Sequence, residues 1–146
     1  MEKTTVEKAV AYITQGDKLL VFSHPFHPEA GIQVPAGTIQ AGESPAEAAL
    51  REAYEETGLE NLELCVFLGV QAFDLTPYGR AEIQQRYFFH LEFHGEAPAS
   101  WRHYENYPSN ENTERIEFEL FWVQFPHVPE LMAGQGALLS KVKTHS

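Results

Sequence analysis

The chain has a single cysteine, Cys65, so no internal disulfide can form and the fold must rest on a packed core. No stretch approaches the ~18 apolar residues of a membrane-spanning helix. The N-terminus has no apolar signal-peptide core. A cytoplasmic location without a membrane partner is the expectation. Basic residues are scarce, ten against 21 acidic ones, and the net charge is −11. That balance argues against a nucleic-acid backbone as partner, because phosphates want a basic face. A small polyanion would be accepted only if cations accompany it. There is no internal repeat and no low-complexity segment. What remains is a chain of 146 residues, 43% hydrophobic and 12% aromatic, which suits one globular domain over residues 1–146.

The acidic excess is concentrated. Between Glu43 and Glu60 lie six acidic side chains and one basic one, Arg51. Glu52, Glu55 and Glu56 stand at i, i+3 and i+4, which on a helix places them on one stripe. Like charges that close repel by roughly 0.2–0.5 kcal/mol per exposed pair. They also lie toward a helix C-terminus, where the macrodipole disfavours negative charge. A stripe that breaks two local rules suggests a bound cation. The helix itself is well marked. Ser44 suits the N-cap, Pro45 the first helical position, and Glu47 completes a capping box. Ala46, Ala49, Leu50 and Ala53 give a small apolar face, and Gly58 suits the left-handed residue after the last turn. These signals predict a helix over 45–57. Clustered carboxylates are oxygen ligands for a hard ion, Mg²⁺ or Mn²⁺. Glu52, Glu55 and Glu56 are therefore assigned as metal ligands.

The string from Gly37 through Glu43 to Arg51-Glu52-Ala53-Tyr54-Glu55-Glu56-Thr57-Gly58-Leu59 resembles the signature of the Nudix hydrolases, with Ala53 where the family usually has a larger aliphatic residue. The resemblance implies an α/β fold of the Nudix type, an α/β/α sandwich with a mixed β-sheet and helices on both faces. It implies metal-dependent hydrolysis of a pyrophosphate bond in a nucleoside diphosphate linked to a group X. It adds the Gly37 carbonyl as a further metal ligand and pairs Glu43 with Arg51 to brace the loop against the helix. One of the helix glutamates, or a later one, would take the proton from water. The family often brings one more carboxylate from a late loop, and Glu114 and Glu117 are the candidates for that additional acid/base or metal role. A homodimer is the assembly the resemblance suggests. Val34-Pro35-Ala36-Gly37 resembles the variant found in nucleotide-sugar and ADP-ribose hydrolases; nucleoside triphosphates stay open as substrates. The alternative function is a non-catalytic nucleotide-binding or regulatory module with the same fold. A structural acidic domain that meets a partner's basic surface is a third reading.

Other residues admit two readings. Trp101, Tyr104 and Tyr107 suit stacking on a base or capping the core edge. Arg86 and Arg102 suit phosphate, and Arg86 in its strand pattern suits a salt bridge instead. His24 and His27, three apart in a Pro-rich loop, read as plain loop residues, and zinc finds no four-ligand set. Strands are expected over 6–14, 18–23, 62–73, 83–93 and 116–125. Residues 31–35 read as an extended run that Pro35-Ala36-Gly37 breaks, 97–113 as a long polar loop, and 129–143 as a terminal helix weakened by Gly134 and Gly136.

Overall fold

Alternation along the first long strand sets the architecture. Ala9, Ala11 and Ile13 point to one side and Val10 and Tyr12 to the other, and all five are buried. A strand apolar on both sides needs cover on both faces. The computed structural model describes residues 2–105 and 116–143. Its strands are β1 (Thr4–Gln15), β2 (Lys18–Ser23), β3 (Ala36–Thr38), β4 (Leu62–Asp74), β5 (Glu82–Phe93), β6 (Ser100–Glu105) and β7 (Ile116–Gln124). They form one mixed sheet in the order β4-β5-β1-β2-β7-β6, with β3 joined to β1 off that path. The β1–β5 pair is parallel and the other pairs are antiparallel.

On one face lies the only α-helix among the described residues, α1 (Pro45–Thr57). The predicted capping box is present: the Glu47 N–H donates to Ser44 Oγ at 3.1 Å, and the Ser44 N–H to Glu47 Oε1 at 2.9 Å. Gly58 ends the helix in the left-handed region, φ 72°. Ala48, Ala49 and Ala53 meet Ala9 and Ala11 of β1 in one core. Small side chains on both partners let helix and sheet approach closely, so Ala53 suits its place. The helix expected over 45–57 is thus found at those bounds.

The other face is covered differently from expectation. Residues 129–143 form no α-helix but a strap with two 3-10 turns, Met132–Gly134 and Leu139–Lys141. Ala133 takes a positive φ of 52°, which an α-helix does not tolerate. Tertiary hydrogen bonds replace the helical ones. The Tyr12 hydroxyl donates to the Gln135 carbonyl, and Gln135 Oε1 accepts from the Val34 N–H at 2.8 Å. Leu131 and Leu138 close the core on this side with Val10, Tyr12, Val34 and Phe88.

Two more expectations change. Residues 100–105 of the predicted loop form β6, because β7 offers a free edge on which Trp101 pairs with Leu120 and His103 with Phe118. Residues 36–38, read as a break, form β3 on β1. That insertion splits the sheet locally. β1 pairs β2 only at Thr14–Leu19 and Gln15–Lys18, and nearer its start it pairs β3 instead. Between these two pairings β1 and β2 diverge, residues 33–36 enter between them with the Ala11 N–H donating to the Pro35 carbonyl at 2.9 Å and Phe22 pairing with Gln33, and a cleft lies beside this segment. No helix among the described residues is long and apolar enough to cross a membrane.

Candidate active site

α1 and β3 build the acidic side of this cleft. Glu52 and Glu56 are 8% and 6% exposed, whereas Glu55 faces solvent. Glu56 Oε2 accepts from the Ala36 N–H at 3.2 Å, which ties the helix to β3. Glu52 presses against Gly37. A Cβ at position 37 would lie 2.0 Å from the Glu52 carboxyl carbon, so only glycine allows this approach. The Glu52 and Glu56 carboxylates lie within hydrogen-bonding reach of each other. Burial pushes the Glu52 pKa up, the Arg51 contact opposes it, and Glu55 adds to the rise. Two buried carboxylates in contact favour a compensating positive charge, of which Arg51 supplies part from 2.8 Å away on Glu52.

Arg51 braces the group. Its Nε and Nη2 donate to the two Glu43 carboxylate oxygens at 2.7 and 3.0 Å, a bidentate pair. Its Nη1 reaches Glu52 at 2.8 Å and Glu55 at 3.3 Å, and Nη2 also donates to the Thr38 carbonyl at 3.0 Å. Glu43 further accepts from the Gln40 N–H at 3.0 Å, which stiffens the loop before the helix. The Arg51 and backbone contacts hold the Glu43 carboxyl below its ordinary value. The same ion pairs raise Arg51. Gly37, Glu43, Arg51, Glu52, Glu55 and Glu56 are thus brought together. All the side-chain donors are oxygen, and Glu52 and Glu56 are buried and in contact. Carboxylate oxygens are the ligand type that a hard divalent ion takes, but the oxygens of Glu52, Glu55 and Glu56 do not all converge within 4.8 Å of one another, so an ion would have to draw them together.

The later candidates fall elsewhere or stay open. Glu114 and Tyr107 lie outside the described residues. Glu117 is on β7 and accepts from Arg102 at 3.0 Å, so these two hold each other across the β6–β7 edge. The Trp101 indole N–H donates to the Thr57 carbonyl at 2.9 Å and so caps the end of α1. Tyr104 is exposed on β6. His24 packs edge-on against Phe22 and Phe118, and His27 faces Glu29. Arg86 forms no ion pair among the described residues; it is buried in the wall of the cleft. A further trio of ligand-type side chains, Glu63, Glu92 and His94, gathers on β4–β5, where His94 Nε2 sits 2.8 Å from Glu63.

The cleft has a volume near 240 Å³. Lys8, Gln33, Arg80, Gln84 and Gln135 line it beside Gly37, Glu56 and Arg86. Sequence reasoning missed those five. They come from β1, β5, the strap and loops, and no spacing rule connects them. The one legible signal was polar residues in alternation within apolar strands, as at Lys8 before Val10 and Gln84 before Phe88.

A family model described as NUDIX domain matches residues 4–140. Among curated proteins, a probable DHNTP pyrophosphohydrolase of Lactococcus lactis subsp. cremoris (strain MG1363) is 31% identical over 85 residues, 58% of this chain and 49% of that protein. The chain therefore spans about half the length of that relative. Among solved structures, a MutT NUDIX hydrolase from Burkholderia pseudomallei superposes with a TM-score of 0.62 at 24% identity, over 97% of this chain and all of the other (100%). A UDP-X diphosphatase gives a TM-score of 0.63 at 18% identity, over 96% of this chain and 62% of the other. At these identities the structural likeness is one of fold.

Proposed function

The chain belongs to the Nudix hydrolase family, and from that premise we propose that it is a divalent-metal-dependent pyrophosphohydrolase acting on a nucleoside diphosphate linked to a group X. The observation that carries the reading is the contact between the buried carboxylates of Glu52 and Glu56, held beside Gly37. Carboxylates forced together out of water favour a cation between them. Glu52, Glu55 and Glu56 would hold Mg²⁺ or Mn²⁺, with the Gly37 carbonyl as a further ligand. When bound, such an ion supplies charge neutralisation for the diphosphate and activation of the attacking water.

The chain's own residues do the rest. Arg51 and Glu43 fix the direction of Glu52 and keep the Gly37 loop on the helix. Fixed charges need no reorganisation as negative charge develops on the phosphoryl oxygens. Water attacks one phosphorus, a new P–O bond forms, and the P–O–P anhydride bond breaks. A carboxylate of the ridge takes the proton from water. The products are a nucleoside monophosphate and a phosphorylated X, or a monophosphate and pyrophosphate. The relatives' printed names, a DHNTP pyrophosphohydrolase and a UDP-X diphosphatase, support this reaction class and span both kinds of X.

The test is a nucleotide panel assayed with and without Mg²⁺. Release of monophosphate that requires the metal is expected. Metal binding with no turnover on any member would instead assign the chain to the non-catalytic nucleotide-binding modules.

A further inference from the structure

Positive charge is rare in this protein, with ten Lys and Arg in all. Three of them, Lys8, Arg80 and Arg86, line the cleft that also holds Glu56. Lys8 and Arg86 are direct neighbours across the parallel β1–β5 pair. Like charges opposite each other destabilise a sheet, so the fold alone gives no reason for this pairing.

Arg86 is the sharper anomaly. It is 6% exposed. A buried charge normally has a carboxylate partner, and Arg86 has none among the described residues. Its Nε donates to Gln84 Oε1 at 3.0 Å, its Nη1 donates to the Ala133 carbonyl, and Phe73 lies under the guanidinium at 4.1 Å. These are neutral partners. They orient the guanidinium without cancelling its charge. The Nη2 group meets no acceptor among the described residues. Every fully buried side-chain nitrogen and oxygen described does have a partner, so Nη2 is not fully buried, and Arg86 lines the cleft. Lys8 likewise has a neutral partner, Thr38 Oγ1 at 2.7 Å, and no ion pair among the described residues. Arg80 is paired with Glu82 at 3.1 Å. Glu82 offsets Arg80 directly and, with Glu52, acts on Lys8 without touching it, which leaves Arg86 as the cation with no carboxylate against it among the described residues. Thr38, which holds Lys8, immediately follows Gly37, so Lys8 and Arg86 stand next to the acidic ridge.

We propose that Arg86 and Lys8, with Arg80 at the rim, form a second anion subsite, so that the protein selects substrates whose group X carries a negative charge of its own. A phosphoryl chain on X, as in a nucleoside triphosphate, fits. A neutral sugar does not use the subsite. The selection rests on the pyrophosphohydrolase reading above, whereas the subsite itself does not. The ridge would take the scissile diphosphate through metal, and the cations would take the charge beyond it.

The experiment has two arms on the wild type, Arg86→Gln and Lys8→Gln. The first arm compares kcat/KM for nucleoside triphosphates and for the corresponding nucleoside diphosphate sugars, with Mg²⁺. The wild type is expected to prefer the charged member. In each variant the ratio of charged to neutral substrate should fall by about tenfold or more, the scale of a lost charge-assisted hydrogen bond, chiefly through KM. The second arm titrates inorganic phosphate into metal-free protein and follows amide NMR shifts. Saturable shifts around the cleft in the wild type, weakened in both variants, are expected. An unchanged substrate ratio in both variants, or a wild type that prefers the sugar, overturns the proposed selection. Phosphate shifts absent in the wild type, or unaltered by the substitutions, overturn the subsite. Arg86→Gln protein that is only less stable, with phosphate binding intact, would assign Arg86 to clamping the strap. If no substrate is turned over, the pyrophosphohydrolase reading fails and the phosphate arm decides the subsite by itself. Lys8, only partly buried, keeps the test decisive should Arg86→Gln fail to fold.

Discussion

The two faces of the sheet contribute to the cleft in opposite ways. On the helical face, α1 brings Glu56 to the cleft and carries Arg51, Glu52 and Glu55 with it within six consecutive residues, and a capping box holds that helix in place. On the strap face, Lys8, Arg80, Arg86, Ala133 and Gln135 come from distant parts of the chain. The first face is acidic and contiguous, whereas the second is cationic and assembled. Local structure is enough to build an acidic ridge, because helical periodicity alone aligns its carboxylates. A cleft needs walls, and walls need tertiary contacts.

The largest expected effect breaks the acidic face. Glu56→Gln keeps an oxygen for the Ala36 N–H but removes the charge. Turnover should fall by more than about a hundredfold, since even outer-shell partners of metal ligands are worth about 10–100-fold. Circular dichroism should show the fold intact and isothermal titration a weakened Mg²⁺ affinity. Full activity in this variant would refute the ridge as the metal site. Gly37→Ala attacks the same face through space. The new methyl meets Glu52, so activity should drop, and thermal denaturation should show a loss of about 1–3 kcal/mol, the usual scale of overpacking. Arg51→Lys cannot make the bidentate pair with Glu43 while also reaching Glu52. About 10–100-fold lower kcat/KM with near-normal stability is expected.

The strap face should respond in stability before activity. Tyr12→Phe removes the hydroxyl that donates to Gln135 and accepts from the Leu138 N–H at 3.3 Å. Urea unfolding should register a loss of about 1–3 kcal/mol. A stability loss as large from Arg51→Lys as from Tyr12→Phe would erase the distinction between the faces. The smallest effect is a pH dependence at His24, which lies against Phe22 at the helical-face core. Burial holds its pKa below the ordinary 6.5, with His27 adding and Glu29 opposing. The unfolded chain therefore binds the proton more readily as acidity rises. The contribution is complete above 6.5 and is lost as the pH falls through the folded value. Urea midpoints should fall on acidification in the wild type, and less so in His24→Phe.

Much of the fold was legible because its signals are local. Ser44, Pro45, Glu47 and Gly58 marked both ends of α1, and the long strands announced themselves as apolar runs between turns. The misreadings share a physical cause. Residues 129–143 have a helix-like apolar pattern, yet Tyr12 and Val34 bond the backbone and side chain of Gln135 and hold the segment in another path. Residues 100–105 look like loop until β7 offers its edge. β3 exists only because β1 turns from β2 and leaves backbone groups to be paired. In the candidate site, the ridge and the Glu43–Arg51 brace followed from spacing and family resemblance. The cleft around Arg86 did not, because a lone arginine in a strand reads the same whether it meets a carboxylate or a ligand.

Sequence by itself therefore determined the acidic ridge and its helix, since residues three and four apart on a helix must share a side whatever surrounds them. Tertiary structure alone decided which cations face that ridge. Lys8 and Arg86 become neighbours only through the parallel pairing of β1 and β5, and among the described residues the strap presents Arg86 with a neutral carbonyl in place of a counter-charge.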